Sequence, residues 1–134
     1  MPSTSTLDLE ALTRPISEDS STGVDLRLDP SPTSPYYQVK DARNAARADE
    51  RKGLFGGVIG ADEVDRWRPV TEFAPDILGD RAKDLEIVAF LIEALARTSG
   101  FGGLRDGFRL ARELVERFWD DLYPMPDEYG METR

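Results

Sequence analysis

From Leu85 to Ala96 ten of twelve residues are apolar, with no glycine or proline among them. A run of this length, apolar on nearly every side, suits a helix buried on most of its surface. Ser99-Gly100-Phe101-Gly102-Gly103 then interrupts the pattern, and a second apolar series follows at Leu104, Phe108, Ala111, Val115, Phe118, Trp119 and Leu122. Its spacing is helical, and between these residues lie Arg109 and Glu113, Arg112 and Glu116, Glu113 and Arg117, and Arg117 and Asp121, each pair four apart. Such pairs lace the solvent face of an amphipathic helix. Two helices joined by a few glycine-rich residues predict an antiparallel αα-hairpin. Glu93 stands four before Arg97, which predicts a pair within the first helix. Trp119 continues the apolar stripe and is assigned to the core, as are Trp67 and Phe73.

Upstream, prolines set the boundaries. Pro15, Pro30, Pro32 and Pro35 hold residues 1–35 out of regular structure, apart from a helical turn expected at Leu7–Leu12. This leader is expected to lay Ile16, Val24, Leu26 and Leu28 on a bundle. Pro35 suits the first turn of a helix that runs over Tyr36–Lys52 and ends at Gly53. The next stretch, Gly53-Leu54-Phe55-Gly56-Gly57-Val58-Ile59-Gly60, is neither a dinucleotide fingerprint nor a P-loop. It is expected to be a mobile connector, with Phe55 and Ile59 as possible partner contacts alongside Tyr123. A further helix begins at Glu63 or Arg66 and reaches about Leu78; Pro69 suits only its first turn, and Pro75 is expected to break or kink it. Pro124 and Pro126 close the folded part. No segment alternates like a strand, so the chain is expected to be all-α: a small bundle of about four to five helices with a C-terminal hairpin and an extended Pro-rich leader.

Composition narrows the chemistry. There is no Cys and no His, which removes thiolate and imidazole nucleophiles, bases and metal ligands. The 17 basic and 26 acidic side chains give a net charge of −9. Only residues 36–60 have a basic balance, and there Lys40, Arg43, Arg47, Arg51 and Lys52 alternate with Asp41, Asp49 and Glu50 as on a solvated helix. A nucleic-acid partner is therefore not expected. Charge-free stretches such as Gly53–Ala61 fall well short of the ~20 residues that span a bilayer, so no membrane insertion is expected. No cofactor or metal site is legible. Asp120-Asp121 and Asp127-Glu128 are adjacent pairs with no Ca²⁺-loop spacing and are taken as surface charges. A carboxylate-dependent hydrolase using Glu18, Asp19 and Asp25 is the catalytic alternative, and a proline-rich leader is a poor mount for it. A general helical adaptor is the other.

Four blocks carry a resemblance. Residues 15–29, Pro-Ile-Ser-Glu-Asp-Ser-Ser-Thr-Gly-Val-Asp-Leu-Arg-Leu-Asp, are similar to the opening "P-I-S-x-D-x-P-x-G-x-D-L-R-x-D" of the ImpA N-terminal domain. Asp41-Ala42-Arg43-Asn44-Ala45-Ala46-Arg47 resembles that family's "D-A-R-x-A-A-R", and Lys83-Asp84-Leu85-Glu86-Ile87-Val88-Ala89-Phe90-Leu91 its "K-D-L-R-V-A-x-W-L". The hairpin block runs Gly100-Phe101-Gly102-Gly103-Leu104-Arg105-Asp106-Gly107-Phe108 and ends Phe118-Trp119-Asp120-Asp121-Leu122-Tyr123-Pro124, similar to its "G-x-x-G-L-x-x-G" and "Y-W-D-x-L-x-P". The sequence departs from the pattern at Ser21, Ala82 and Glu86, the last reversing the charge of a frequent Arg.

The resemblance implies a cytoplasmic assembly component of the bacterial type VI secretion system, without catalysis, that contacts baseplate, sheath or tube proteins. It also implies that rings form through regions C-terminal to this domain, leaving this chain a monomer or weak dimer. On this reading residues 1–13 are a flexible N-terminus, 14–126 the ImpA-like helical domain, and 127–134 the start of a linker. The family-motif positions are Pro15, Asp19, Gly23, Asp25, Leu26, Lys83, Asp84, Leu85, Gly100, Gly103, Leu104, Trp119, Asp120 and Pro124. Most are expected to be structural; Asp84, for one, belongs in the first turn of its helix, where its charge complements the dipole.

Overall fold

The computed structural model describes residues 7–54 and 63–125. Among them are four α-helices and no strand: α1 (Leu9–Thr13), α2 (Pro35–Leu54), α3 (Glu63–Asp80) and α4 (Leu85–Phe118), with a 3-10 turn at Leu26–Leu28. The all-α class and the Pro-rich leader are as the sequence predicts. The leader's helical turn is α1, whose N-cap Asp8 accepts a hydrogen bond from the Ala11 amide. It lies within the stretch expected to be flexible, yet Leu12 and Thr13 are buried in it. Of the expected Gly53–Gly60 connector, Gly53 and Leu54 belong to the end of α2. Residues 55–60, Phe55 and Ile59 among them, and the proposed linker 127–134 lie outside the described residues, as do residues 1–6.

The hairpin is present inside α4. Gly100 sits at φ +57° and ψ −141°, outside the helical region and strained for any residue with a Cβ. There the chain doubles back: a Cβ on Gly103 would lie 2.3 Å from the Leu95 carbonyl oxygen, and one on Gly107 would lie 2.7 Å from Ile92 Cγ1. Small residues thus let the second arm lie against the first. By length and composition α4 is apolar enough to cross a membrane, but this reversal folds it into two antiparallel arms.

The core is continuous. Val39 from α2, Trp67, Val70 and Leu78 from α3, and Ile87, Leu91, Leu110 and Leu114 from α4 are fully buried, and Leu122 closes its base. Four expectations need correction here. Pro69 and Pro75 both lie inside α3, which is not split. An interior proline costs about 3 kcal/mol, but Trp67, Val70, Ala74, Ile77 and Leu78 form one continuous buried face, and that packing outweighs the lost hydrogen bonds. Phe73 is exposed rather than packed, and so is Trp119. In the leader, Leu26 is buried, but Val24 and Leu28 face solvent. Finally, the second arm buries Gly103, Asp106, Gly107, Leu110 and Leu114 together with the expected Phe118, a face centred about 100° from the expected series. Of that series Leu122 is also buried and Ala111 and Val115 pack against the core, while Phe108 and Trp119 are exposed.

Candidate functional site

The leader is stapled to the start of α4 by backbone first. The Val24 amide donates to the Arg81 carbonyl (3.2 Å) and the Lys83 amide to the Thr22 carbonyl (2.8 Å). Gly23, at φ +80°, lies so close that a Cβ would fall 1.9 Å from the Arg81 oxygen. From the other side, the Tyr123 amide donates to the Lys83 carbonyl (3.1 Å), and the Leu85 amide to the Tyr123 carbonyl (2.8 Å). Residues 81–85 are thereby held between the leader and the end of the hairpin.

Side chains lock the same junction. Asp84 is the N-cap of α4, accepting from the Glu86 and Ile87 amides at 2.9 and 3.4 Å. Fully buried, it also receives both terminal nitrogens of Arg27 at 2.9 Å each. Arg27 in turn reaches Glu86 (3.0 Å) and Asp25 (3.1 Å), and Asp25 accepts from the Arg27 amide as cap of the 3-10 turn. Burial pulls the Arg27 pKa down, but hydrogen bonds and charges from Asp84, Asp25 and Glu86 raise it well above its ordinary value. The guanidinium also lies 5.2 Å from the centre of the Tyr36 ring. Lys83 points the other way. Its buried ammonium donates to the carbonyls of Leu12 (2.7 Å) and Leu78 (2.6 Å), tying α1 to the end of α3. Burial, assisted by the charge of Arg14, pushes its pKa down to about 8 against the pull of Asp80.

A second charged cluster joins α2 to α4. Glu93 accepts from Arg43 at 3.0 and 3.2 Å and from Arg47 at 3.0 Å. Glu50 accepts from Trp67 Nε1 at 2.7 Å and from Arg97 Nη2 at 3.2 Å, while the Arg97 guanidinium stacks 4.5 Å from the centre of the Trp67 ring. Burial pushes the Glu50 carboxyl up, but hydrogen bonds from Arg97 and Trp67 and the charges of Arg97 and Arg47 hold it below its ordinary value. The expected Glu93–Arg97 side-chain pair is absent; Arg97 donates to the Glu93 backbone carbonyl instead. The mixed charges of α2 are therefore partly an inter-helix clamp, not a wholly solvated face.

Of the motif positions, the structure brings Gly23, Asp25, Leu26, Lys83, Asp84 and Leu85 together at the staple, with Tyr123 and Pro124 beside them. Tyr123 is half-buried. Gly100, Gly103 and Leu104 lie at the turn of the hairpin, away from that junction, and Trp119 and Asp120 are exposed near its end. Pro15 and Asp19 are exposed on the leader. Arg27 is the residue the sequence reading passed over, although it stands inside the leader motif between two of the acids it binds or neighbours, Asp25 and Asp29. Glu86, read only as a reversed charge, is one of its partners. Of the three carboxylates considered for hydrolysis, Glu18 and Asp19 are exposed and Asp25 is bonded to Arg27. Among the described residues no group of three or more His, Cys, Asp or Glu side chains is placed to hold a metal ion.

These features define an all-helical domain whose ionisable groups join one segment to another, with its aromatic surface on the outer arm of a hairpin. The chain belongs to the ImpA N-terminal family of the type VI secretion system, whose family model matches residues 13–134. It is 32% identical over 121 residues to the type VI secretion system component TssA1 of Pseudomonas aeruginosa, covering 90% of this chain and 33% of that protein. It is also similar to the solved N-terminal domain, including the conserved ImpA_N region, of the TssA component from Burkholderia cenocepacia. There the TM-score is 0.65 at 32% identity, covering 96% of this chain and 44% of the other. The chain thus spans a third of the curated relative, and that relative is a secretion-system component.

Proposed function

We propose that the domain is a non-catalytic assembly module of a TssA-like protein, acting in the cytoplasm during construction of the secretion baseplate and tail through contacts with baseplate, sheath or tube proteins. One observation carries this reading beyond family membership. The buried or half-buried charges that catalysis would recruit, at Arg27, Glu50, Lys83, Asp84 and Glu93, are all bonded to fixed parts of the fold. A group committed to a static bond is a poor proton shuttle or nucleophile, whereas a rigid scaffold suits recognition. The test is deletion of residues 7–125 from the protein in its own bacterium, reading sheath assembly by fluorescence and release of the inner-tube protein. Loss of both is expected, together with no turnover in a hydrolase and transferase screen of the purified domain. Normal sheath assembly, or turnover abolished by one carboxylate substitution, would overturn the reading.

A further inference from the structure

The second arm of α4 carries large apolar side chains that the core does not use. Phe101 is 91% exposed, Phe108 61% and Trp119 47%. Their spacings of 7 and 18 residues return to the same side of a helix within about 20°, so they form one stripe along the outside of the hairpin. Arg105, Arg109 and Arg112 accompany it, and with Phe108 they line a cleft of about 470 Å³. Aromatic and arginine side chains are the types enriched at binding hot spots.

We infer that this stripe is a docking surface for an acidic amphipathic helix of a protein partner, whose apolar face covers Phe101, Phe108 and Trp119 while its carboxylates meet Arg105, Arg109 and Arg112. Charge selects this occupant. The whole chain is at −9, yet the cleft is lined by three arginines and no carboxylate. Arg105 pairs with Asp106 at 3.0 Å and Arg112 reaches Glu113 and Glu116 only at 3.8 and 4.0 Å, so an acidic segment that competes for these guanidinium groups is drawn to the cleft and repelled elsewhere. A second copy docking stripe to stripe sets arginine against arginine. An anionic membrane would meet the repulsion of the remaining acidic surface. The inference rests on the assembly reading above and supplies its contact face.

The probe is a synthetic amphipathic helix of about five turns with leucines on one face and glutamates flanking them, compared with the same peptide carrying lysines for glutamates. Trp119 reports binding by a blue shift, since Trp67 is already buried. The glutamate peptide is expected to bind, to weaken with added salt, and to lose about tenfold in affinity with Arg109→Glu and with Phe108→Ala. Both positions are exposed, and circular dichroism checks that the variants stay folded. Equal affinity for the two peptides, no binding, indifference to both substitutions, preference for phosphatidylserine vesicles, or self-association lost with Phe108→Ala each overturns it. In the bacterium, Arg109→Glu should impair sheath assembly. Normal assembly in that variant, where domain deletion abolishes it, overturns the stripe alone; normal assembly after the deletion overturns the assembly reading itself.

Discussion

The two carboxylate oxygens of Asp84 meet four donors: two backbone amides of α4 and two nitrogens of Arg27. Capping holds the first turn of the core helix, and the arginine holds the leader, so one residue couples two segments 57 positions apart in the chain. Charge-assisted bonds contribute more than neutral ones, and an N-cap adds its own increment. Asp84→Ala should therefore lower stability by about 3 kcal/mol, and Asp84→Asn, which keeps one acceptor for the cap, by less. Urea unfolding measures this as a lower midpoint at unchanged slope. A loss under about 1 kcal/mol for the alanine variant would place the coupling elsewhere. The sequence shows Asp84 as a first-turn acid, but nothing local in it shows that Arg27 is its partner. Pairing across such a separation is set by how the leader lies on the bundle, which no local spacing encodes.

At the scale of the elements, the periodic signals were legible and the small residues were not. Pro35 starts α2, the apolar run from Leu85 forms the buried arm, and the glycine-rich stretch turns the chain, all as patterning predicts. The face of the second arm is poorly marked in the sequence because its close approach to the first is made by Gly103 and Gly107, which carry no hydrophobic signal, with Asp106 buried on the same face. Phe108 and Trp119, which do carry one, face outward. This account predicts an order of damage. Gly103→Ala forces a Cβ against the fixed Leu95 carbonyl and should be the most destabilising of the three glycine changes. Gly107→Ala crowds the Ile92 side chain at 2.7 Å and meets its backbone only at an ordinary 3.6 Å, so it should cost less. Gly100→Ala meets nothing within 4 Å and should cost the backbone strain alone, about 1–3 kcal/mol. Thermal unfolding of the three variants checks the ranking, and Gly103→Ala as the mildest would refute the close approach.

The α2–α4 clamp adds a pH dependence at the same scale. The Glu50 carboxyl titrates below its ordinary 4.5 in the folded protein, so as pH falls the unfolded chain takes up the proton first. The stability from this group is complete above that value and is lost as pH drops through the lower, folded one. Urea unfolding across this acid range should show a slope for the wild type that is shallower in Glu50→Gln. Equal slopes would mean that the contacts to Arg97 and Trp67 do not favour the charged form.

For the whole molecule, charge and surface pattern argue together about self-association. Obligate interfaces bury broad apolar areas, whereas the apolar stripe on this surface is narrow and accompanied by arginines. A chain at −9 repels its copies at low salt, where screening reaches beyond about 10 Å. No heptad seam runs along α2 or α3, and the long apolar run of α4 is spent inside the hairpin rather than offered to another chain. The purified chain should therefore scatter light as a monomer, at most a weak dimer, at micromolar concentration. Any dimer through apolar contacts should strengthen as salt screens the repulsion. A stable hexamer or larger at low salt would mean that an oligomerisation surface lies within these 134 residues, on a face that neither charge nor burial marks.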